Sequence, residues 1–351
     1  MYSIPPKKLL IINILDILKR YSDEDHRLSQ KDIVEILENE YAMKADRKAV
    51  KRNLMNLIDF GYPIEYSESI RRKSDGEEES LYTDWYLLHE FTDAELRLLI
   101  DSLLFSKHIP YSQCKALIEK IKGLSGEYFD AKVKHIRNLP EHMPANKQLF
   151  LTIEVLDEAI SRKRQVAFHY NAYGTDKKLQ PRRTEDGNVR SYIINPYQIV
   201  ATNGRYYLIC NYDKYDDVSH YRLDRITDIR LLDSPAKPMK MVKGLENGLL
   251  LPKHMAEHIY MFAGESLVVR FRAEDHLVGE ILDWFGQDAG FSNENGGMVD
   301  VCVTVNAQAF VFWALQYGQY VEVLEPAGLR EEVKHAVMEM AGKYNEEATY
   351  D

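Results

Sequence analysis

Cysteine is scarce in this chain. The three thiols, Cys114, Cys210 and Cys302, stand far apart. That excludes a disulfide framework and any close-spaced zinc set, and it fits a reducing cytoplasm. Long hydrophobic runs are missing as well. None approaches the ~18 residues that a membrane-spanning helix needs, so no membrane partner is expected. The opening stretch MYSIPPKKLLIINILDILKR sets lysines ahead of an apolar run, as a secretory signal does. Asn13 and Asp16 interrupt that run and no small-residue cleavage site follows, so an amphipathic first helix is expected instead. Also lacking are a phosphate-binding loop, a G-x-G-x-x-G in a βαβ setting and a G-x-S-x-G elbow. No catalytic residue and no cofactor is assigned, and the chain is read as a non-enzyme. The net charge of −10 excludes a protein that coats nucleic acid over its whole surface, but leaves room for a local basic face.

What is present is an ordinary globular composition, 45% hydrophobic and 28% charged over 351 residues, enough for about two or three domains. Leu10, Ile11, Ile14, Leu15 and Leu18 form a helical stripe over 7–21. Ser29, with Asp32 three positions on, has the pattern of a capping box for a second helix that buries Ile33, Val34, Ile36 and Leu37. Asp46 caps a third helix whose buried stripe is Val50, Leu54, Leu57 and Ile58, and Gly61 stops it. The opposite face of that helix is basic: Arg47, Lys48, Lys51 and Arg52, with Lys44 just ahead. A helix, a short turn and a basic helix describe a helix-turn-helix whose last helix enters the major groove of double-stranded DNA. Two strands follow, at 64–66 and 81–88, flanking a charged loop that holds Arg71, Arg72 and Lys73. They make a wing placed to meet phosphate, opposed by Glu77, Glu78 and Glu79. The alternative for such a charge cluster is plain solvated surface. The segment RKAVKRNLMNLIDFGYPI resembles the helix-to-wing signature of winged helix-turn-helix regulators.

Thr92 and Glu95 open a helical region with a second capping box. Three helices, to about 107, over 111–122 and over 149–162, are expected to connect a reader to a sensor. Then QVAFHY at 165–170 reads as a strand, and 171–188 as a long polar hairpin. In the stretch 192–226, Asn203-Gly204 is a two-residue hairpin turn, and Tyr206 to Tyr212 is rich in strand formers. A further strand is expected to run unbroken over 219–226. Short, closely spaced strands suggest a small closed barrel. Three tokens occur in order: Asn195-Pro196-Tyr197, Arg205-Tyr206-Tyr207-Leu208 and Tyr221-Arg222-Leu223-Asp224-Arg225-Ile226. That order resembles the WYL domain, a ligand-sensing module of bacterial transcription regulators. Tyr206 stands where the family name has Trp, and Ser219-His220 replaces the family's frequent arginine before the last aromatic. The resemblance implies an SH3-like barrel and a nucleotide or nucleic-acid effector.

The segment 234–264 reads as a linker with Pro235, Pro238 and Pro252. It contains His254-Met255-Ala256-Glu257-His258, an H-x-x-E-H pattern of the kind that binds zinc in some peptidases. Two histidines on a linker helix are more often plain surface, and no third ligand is evident, so no metal is assigned. The rest reads β-α-β-α-β-α, close to a ferredoxin-like layout, and VEVLEPAGLREEV resembles the extension found after many WYL domains.

The expected architecture is therefore an α+β multidomain chain: a winged helix-turn-helix over 1–90, a helical connector over 91–164, a WYL barrel over 165–235, a linker over 236–264 and a C-terminal α/β domain over 265–351. Strand alternation sets His220, Arg222 and Asp224 on one face and Tyr221, Leu223 and Arg225 on the other. The candidate effector site is Tyr170, Tyr197, Asn211, His220, Arg222 and Arg225, because guanidinium grips phosphate and tyrosine rings stack on bases. A carboxylate, Asp224, Asp228 or Asp233, is the competing structural partner for Arg225. Two functions fit: a ligand-responsive homodimeric regulator, or a nucleic-acid-binding accessory of a defence or repair system.

Overall fold

The structure, a computed structural model, describes residues 7–72, 78–106, 109–129 and 146–345. The chain divides into two compact units, Met1–Met143 and Pro144–Asp351.

In the first unit, a 3₁₀ turn at Lys7–Leu9 leads into α1 (Leu10–Tyr21), followed by α2 (Gln30–Tyr41) and α3 (Arg47–Phe60). The caps are those expected. Ser29 and Asp32 form a reciprocal capping box on α2, and the Asp46 carboxylate accepts from the Ala49 amide at 2.7 Å. Gly61 ends α3 at a φ of 109°, the left-handed conformation a side chain would resist. Each helix turns one stripe inward, so Ile14, Ile17, Leu18, Ile33, Leu37, Val50 and Leu54 share one core. Burial of each such side chain contributes roughly 1.5–3 kcal/mol. The hairpin β1 (Ile64–Arg72) and β2 (Glu78–Leu87) closes that core with Trp85, whose ring is tilted against those of Tyr66 and Tyr82. It is longer than the sequence indicates: Arg71 and Arg72 lie within β1, opposite Glu79 and Glu78 in the ladder. Helices α4 (Asp93–Phe105), which has the Thr92–Glu95 box, and α5 (Tyr111–Lys122) pack together beyond it.

The second unit begins with α6 (Leu149–Arg162), which lies against the sheet that follows. That sheet contains β3 (Arg164–Tyr173), β4 (Leu179–Pro181), β5 (Ser191–Thr202), β6 (Arg205–Tyr212), β7 (Val218–Arg222) and β8 (Ile226–Pro235). The order is β4-β3-β5-β6-β7, with β8 also on β3. The first half of β3 is flanked by β5 and β8, and its end pairs with β4. The expected closed barrel is not formed: among the described residues no ladder joins β7 to β8 or β4. The tight turn at Asn203-Gly204 is present, both residues at positive φ.

The strand expected over 219–226 is broken. It stops at Arg222, turns through a 3₁₀ segment at Leu223–Arg225 and restarts as β8. Leu223 and Asp224 are both buried there, which uninterrupted alternation does not allow.

The segment after β8 is not a bare linker. Val242, Leu245 and Met261, with Leu249, Leu251 and Met255 beside them, cover Tyr197, Val200, Ile209 and Val218 of the sheet. Within it lies α7 (Leu251–Glu257). The remainder is β9 (Ser266–Glu274), α8 (Val278–Phe285), β10 (Gly290–Asn295), β11 (Met298–Asn306), α9 (Ala307–Gln316), β12 (Val321–Glu325) and α10 (Ala327–Asn345). The strands are ordered β10-β11-β9-β12, all pairs antiparallel. The sequence reading omits β10. All six of its residues are exposed, so it has no apolar alternation to detect.

Candidate functional site

Two places hold the residues that chemistry singles out. In the first unit, the outer surface of α3 is basic. At 100° per residue, Lys48 and Arg52 project opposite the buried stripe of Val50, Leu54 and Leu57. Arg47, Lys48 and Arg52 are exposed, and among the described residues they form no ion pair. Lys44 makes an open contact to Glu38 at 3.7 Å. Lys51 is different: its ammonium sits 3.8 Å from the centre of the Tyr82 ring, tying α3 to β2. Arg71 and Arg72 are exposed on β1; Lys73 lies outside the described residues.

The second place is on the β3–β8 sheet. Tyrosines from three strands meet edge to face: the ring of Tyr221 is 4.9 Å from that of Tyr170 and 5.7 Å from that of Tyr192, with Phe168 behind. Tyr212 extends the group, 5.3 Å from Tyr192. Burial pushes the Tyr170 and Tyr221 hydroxyls above their ordinary pKa, so both remain protonated. Guanidinium groups rim these rings, Arg182 over Tyr170 at 5.6 Å and Arg190 over Tyr192 at 4.8 Å.

Beside the rings lies an arginine cluster with one carboxylate. Asp224 is 5% exposed. It accepts two bonds from Arg222, at 3.0 Å and 2.6 Å, and one from Arg205 at 3.4 Å. Desolvation opposes the charge on Arg222, but its hydrogen bonds to Asp224 and the charge of that carboxylate outweigh it, so the guanidinium pKa is raised. The backbone amide of Arg222 donates to the Tyr170 hydroxyl at 3.3 Å, joining the two clusters. Among the described residues Arg225 has no such partner. Its Nε is buried without a hydrogen bond, and its guanidinium carbon lies 5.9 Å from the Tyr173 ring centre. The structural carboxylate pair thus belongs to Arg222 and Arg205. Asp228 contacts His169 instead.

Of the expected effector residues, Tyr170, Arg222 and Arg225 come together here. Tyr197 faces the covering segment and donates to the Lys237 carbonyl at 2.8 Å. Asn211 is fully buried and bonded to Asn195, Tyr215 and Asp217. His220 points to α7, where it meets His254 and His258. Those two are not plain surface, being 7% and 5% exposed. Among the described residues no three His, Cys, Asp or Glu side chains are arranged to hold a metal ion. Sequence reasoning missed Arg182, Arg190, Arg205, Tyr192, Tyr212 and Tyr221 as a group. The available signal was the density of tyrosine across 192–221 and the arginines of the preceding hairpin.

Comparison with known proteins bears on this region. Nothing among curated proteins matches the chain. Among the solved structures that resemble it at low similarity are the following two. One is proteasome accessory factor B/C (PafBC) of Arthrobacter aurescens, at 15% identity and a TM-score of 0.28, covering 97% of this chain and 50% of that one. The chain thus spans about half the length of PafBC. The other is described as a CRISPR Cas-related protein, at 15% identity and a TM-score of 0.36, covering 99% of this chain and 88% of that one. Likeness at this level leaves function open. Among the described residues, no helix is long and apolar enough to cross a membrane. The model of the WYL domain matches residues 152–231 and that of the WCX domain matches 263–341, so the chain carries a WYL domain, with the tyrosine and arginine clusters inside it, and a WCX domain.

Proposed function

We propose that this chain is a ligand-responsive bacterial transcription regulator, cytoplasmic and not an enzyme. In this reading α1–α3 and the β1–β2 hairpin act as a winged helix-turn-helix that binds duplex DNA. Lys48 and Arg52 reach base edges, and Arg47, Lys44, Arg71 and Arg72 meet phosphate. Lys51 contributes through its hold on Tyr82. The β3–β8 sheet is an SH3-like sensor, and β9–β12 with their helices follow a ferredoxin-like layout. The protein works as a homodimer, because one recognition helix covers only one half-site.

The observation that carries the effector reading is the charge imbalance on the sheet. Arg182, Arg190 and Arg225 lie over tyrosine rings, and Arg205 and Arg222 converge beside them on Asp224, the carboxylate among them. Asp224 is taken up by Arg222 and Arg205, which leaves Arg225 without a counter-charge. A phosphate-bearing ligand, a nucleotide or short oligonucleotide, satisfies both features: its phosphate pairs with guanidinium and its bases lie on the rings. Such a ligand shifts DNA binding only as far as it prefers one state of the protein over the other.

The test is native mass spectrometry of freshly purified wild-type and Arg225→Gln protein, bare and with added nucleotides or 5′-phosphorylated oligonucleotides. A phosphate-bearing mass on the wild type, absent from the variant, is expected. A wild-type chain that stays bare under all these conditions contradicts the effector reading.

A further inference from the structure

The three histidines left outside the effector site form a cluster of their own. His220 comes from β7, and His254 and His258 from the end of α7, one helical turn apart. Ring centres are 5.1 Å apart for His220–His254, 5.0 Å for His220–His258 and 4.3 Å for His254–His258. The Nε2 atoms of His220 and His254 are 2.8 Å apart, so one must carry the proton and the other accept it. His258 Nδ1 donates to the Phe262 carbonyl at 3.0 Å, which leaves its Nε2 unprotonated in the neutral ring. His220 Nδ1 is buried and among the described residues makes no hydrogen bond of good geometry, although the Phe262 backbone also bears on this ring.

This geometry favours neutral rings. An N–H on both facing Nε2 atoms would set two donors against each other, and an extra proton on any of the three rings makes a cation packed against two other imidazoles. The neighbours offer little relief. On α7, Glu257 is the carboxylate whose charge reaches His258, and Lys253 stands 3.7 Å from that carboxylate. From β6 the residue paired with His220 is Ile209. Lys253 and Glu257 also line a 340 Å³ cavity together with Asp288 and Cys302.

We propose that this cluster is a protonation-sensitive latch that fastens the sensor sheet to α7, and that charging it releases the segment around 249–262. Strand β7 carries His220 on the latch side and Tyr221 and Arg222 at the effector site, and α7 also packs against β11 of the C-terminal sheet. Opening the latch therefore frees one side of the strand that shapes the effector site and loosens the sensor from the WCX domain. The latch itself stands apart from the effector reading; only its consequence for ligand binding rests on that reading.

The sign follows from the depressed basicity of the cluster. Burial, with the neighbouring imidazoles, lowers His220 and lowers His254 to about 4; burial lowers His258 as well. The unfolded chain takes up these protons first. The stabilising contribution is complete above the ordinary imidazole value of 6.5 and is lost as pH falls from there toward about 4.

The experiment is deuterium exchange of the full chain at about pH 7.5 and about pH 5, corrected for intrinsic rates and run with a chelator present. Peptides over 249–262 should lose protection about tenfold or more at the lower pH while β9 and β11 keep theirs. His254→Phe and His254→Gln remove one titrating ring and should flatten the pH dependence of melting relative to wild type. Equal protection of 249–262 at both pH values in the wild-type chain overturns the proposal, and so does an unchanged pH slope in both folded variants. No effector or DNA enters the measurement, so its outcome is separable from that of the effector test.

Discussion

Replacing Asp224 by asparagine should unsettle the arginine cluster on the β3–β8 sheet from its base. The carboxylate side chain is 6% exposed and binds Arg222 through both oxygens while also reaching Arg205. Asparagine keeps the size but removes the charge and one acceptor. Two guanidinium groups, 17% and 24% exposed, then lose their counter-charge. Breaking a fully buried pair by removing one partner costs about 3–5 kcal/mol. Partial access to water at Arg222 and Arg205 reduces that to about 2–4 kcal/mol here. For a unit of this size the loss corresponds to a fall in Tm of about 4–16 °C. Circular dichroism melting and urea titration of the wild type and Asp224→Asn measure it. The double variant with Arg222→Met should regain part of the loss, because one of the two charges left without a partner is removed. A single variant within about 0.5 kcal/mol of wild type would refute the structural role given to Asp224.

Arg225→Gln should behave in the opposite way. Its Nε is buried without a partner, so the substitution should leave stability within about 1 kcal/mol of wild type while ligand uptake is lost; a drop of more than about 2 kcal/mol would show a structural role instead. Lys51→Ala removes the contact with the Tyr82 ring and should cost about 0.5–1 kcal/mol, read by urea titration; no change would show that the contact does not hold α3 to the hairpin. Light scattering across micromolar concentrations, with and without duplex, should give a homodimer; a strict monomer throughout would contradict the two-half-site reading.

What the sequence made legible follows the strength of local signals. Ser29, Asp46, Gly61 and Thr92 mark helix ends because capping depends on a few neighbouring atoms, and each does what its position indicates. Asn203-Gly204 marks its turn for the same reason. The break after Arg222 was not legible, since TYR-ARG-LEU-ASP alternates as a strand would, and only the burial of both Leu223 and Asp224 shows the turn. Nor was the ownership of Asp224. Arg222 and Arg225 are equivalent by spacing, and which one reaches the carboxylate depends on that turn. His220 was expected beside Arg222 because they share a strand face, but α7 returns from more than thirty residues away to claim it, as the His220–His254 separation of 34 shows. Long-range returns of this kind leave no periodic trace in a single sequence.

The central claim is that the basic surface of α3 reads duplex DNA, and fluorescence anisotropy with a labelled duplex from the chain's own upstream region tests it most directly. Wild-type protein should bind that duplex at least about tenfold more tightly than random duplex or single strands, with a salt slope near one unit per phosphate contacted. The Lys48→Ala, Arg52→Ala variant should lose about 2–6 kcal/mol of that binding if both side chains reach base edges. Preference for single strands would point to an accessory nucleic-acid-binding role, and a double variant that binds the upstream duplex as tightly as wild type would contradict the account.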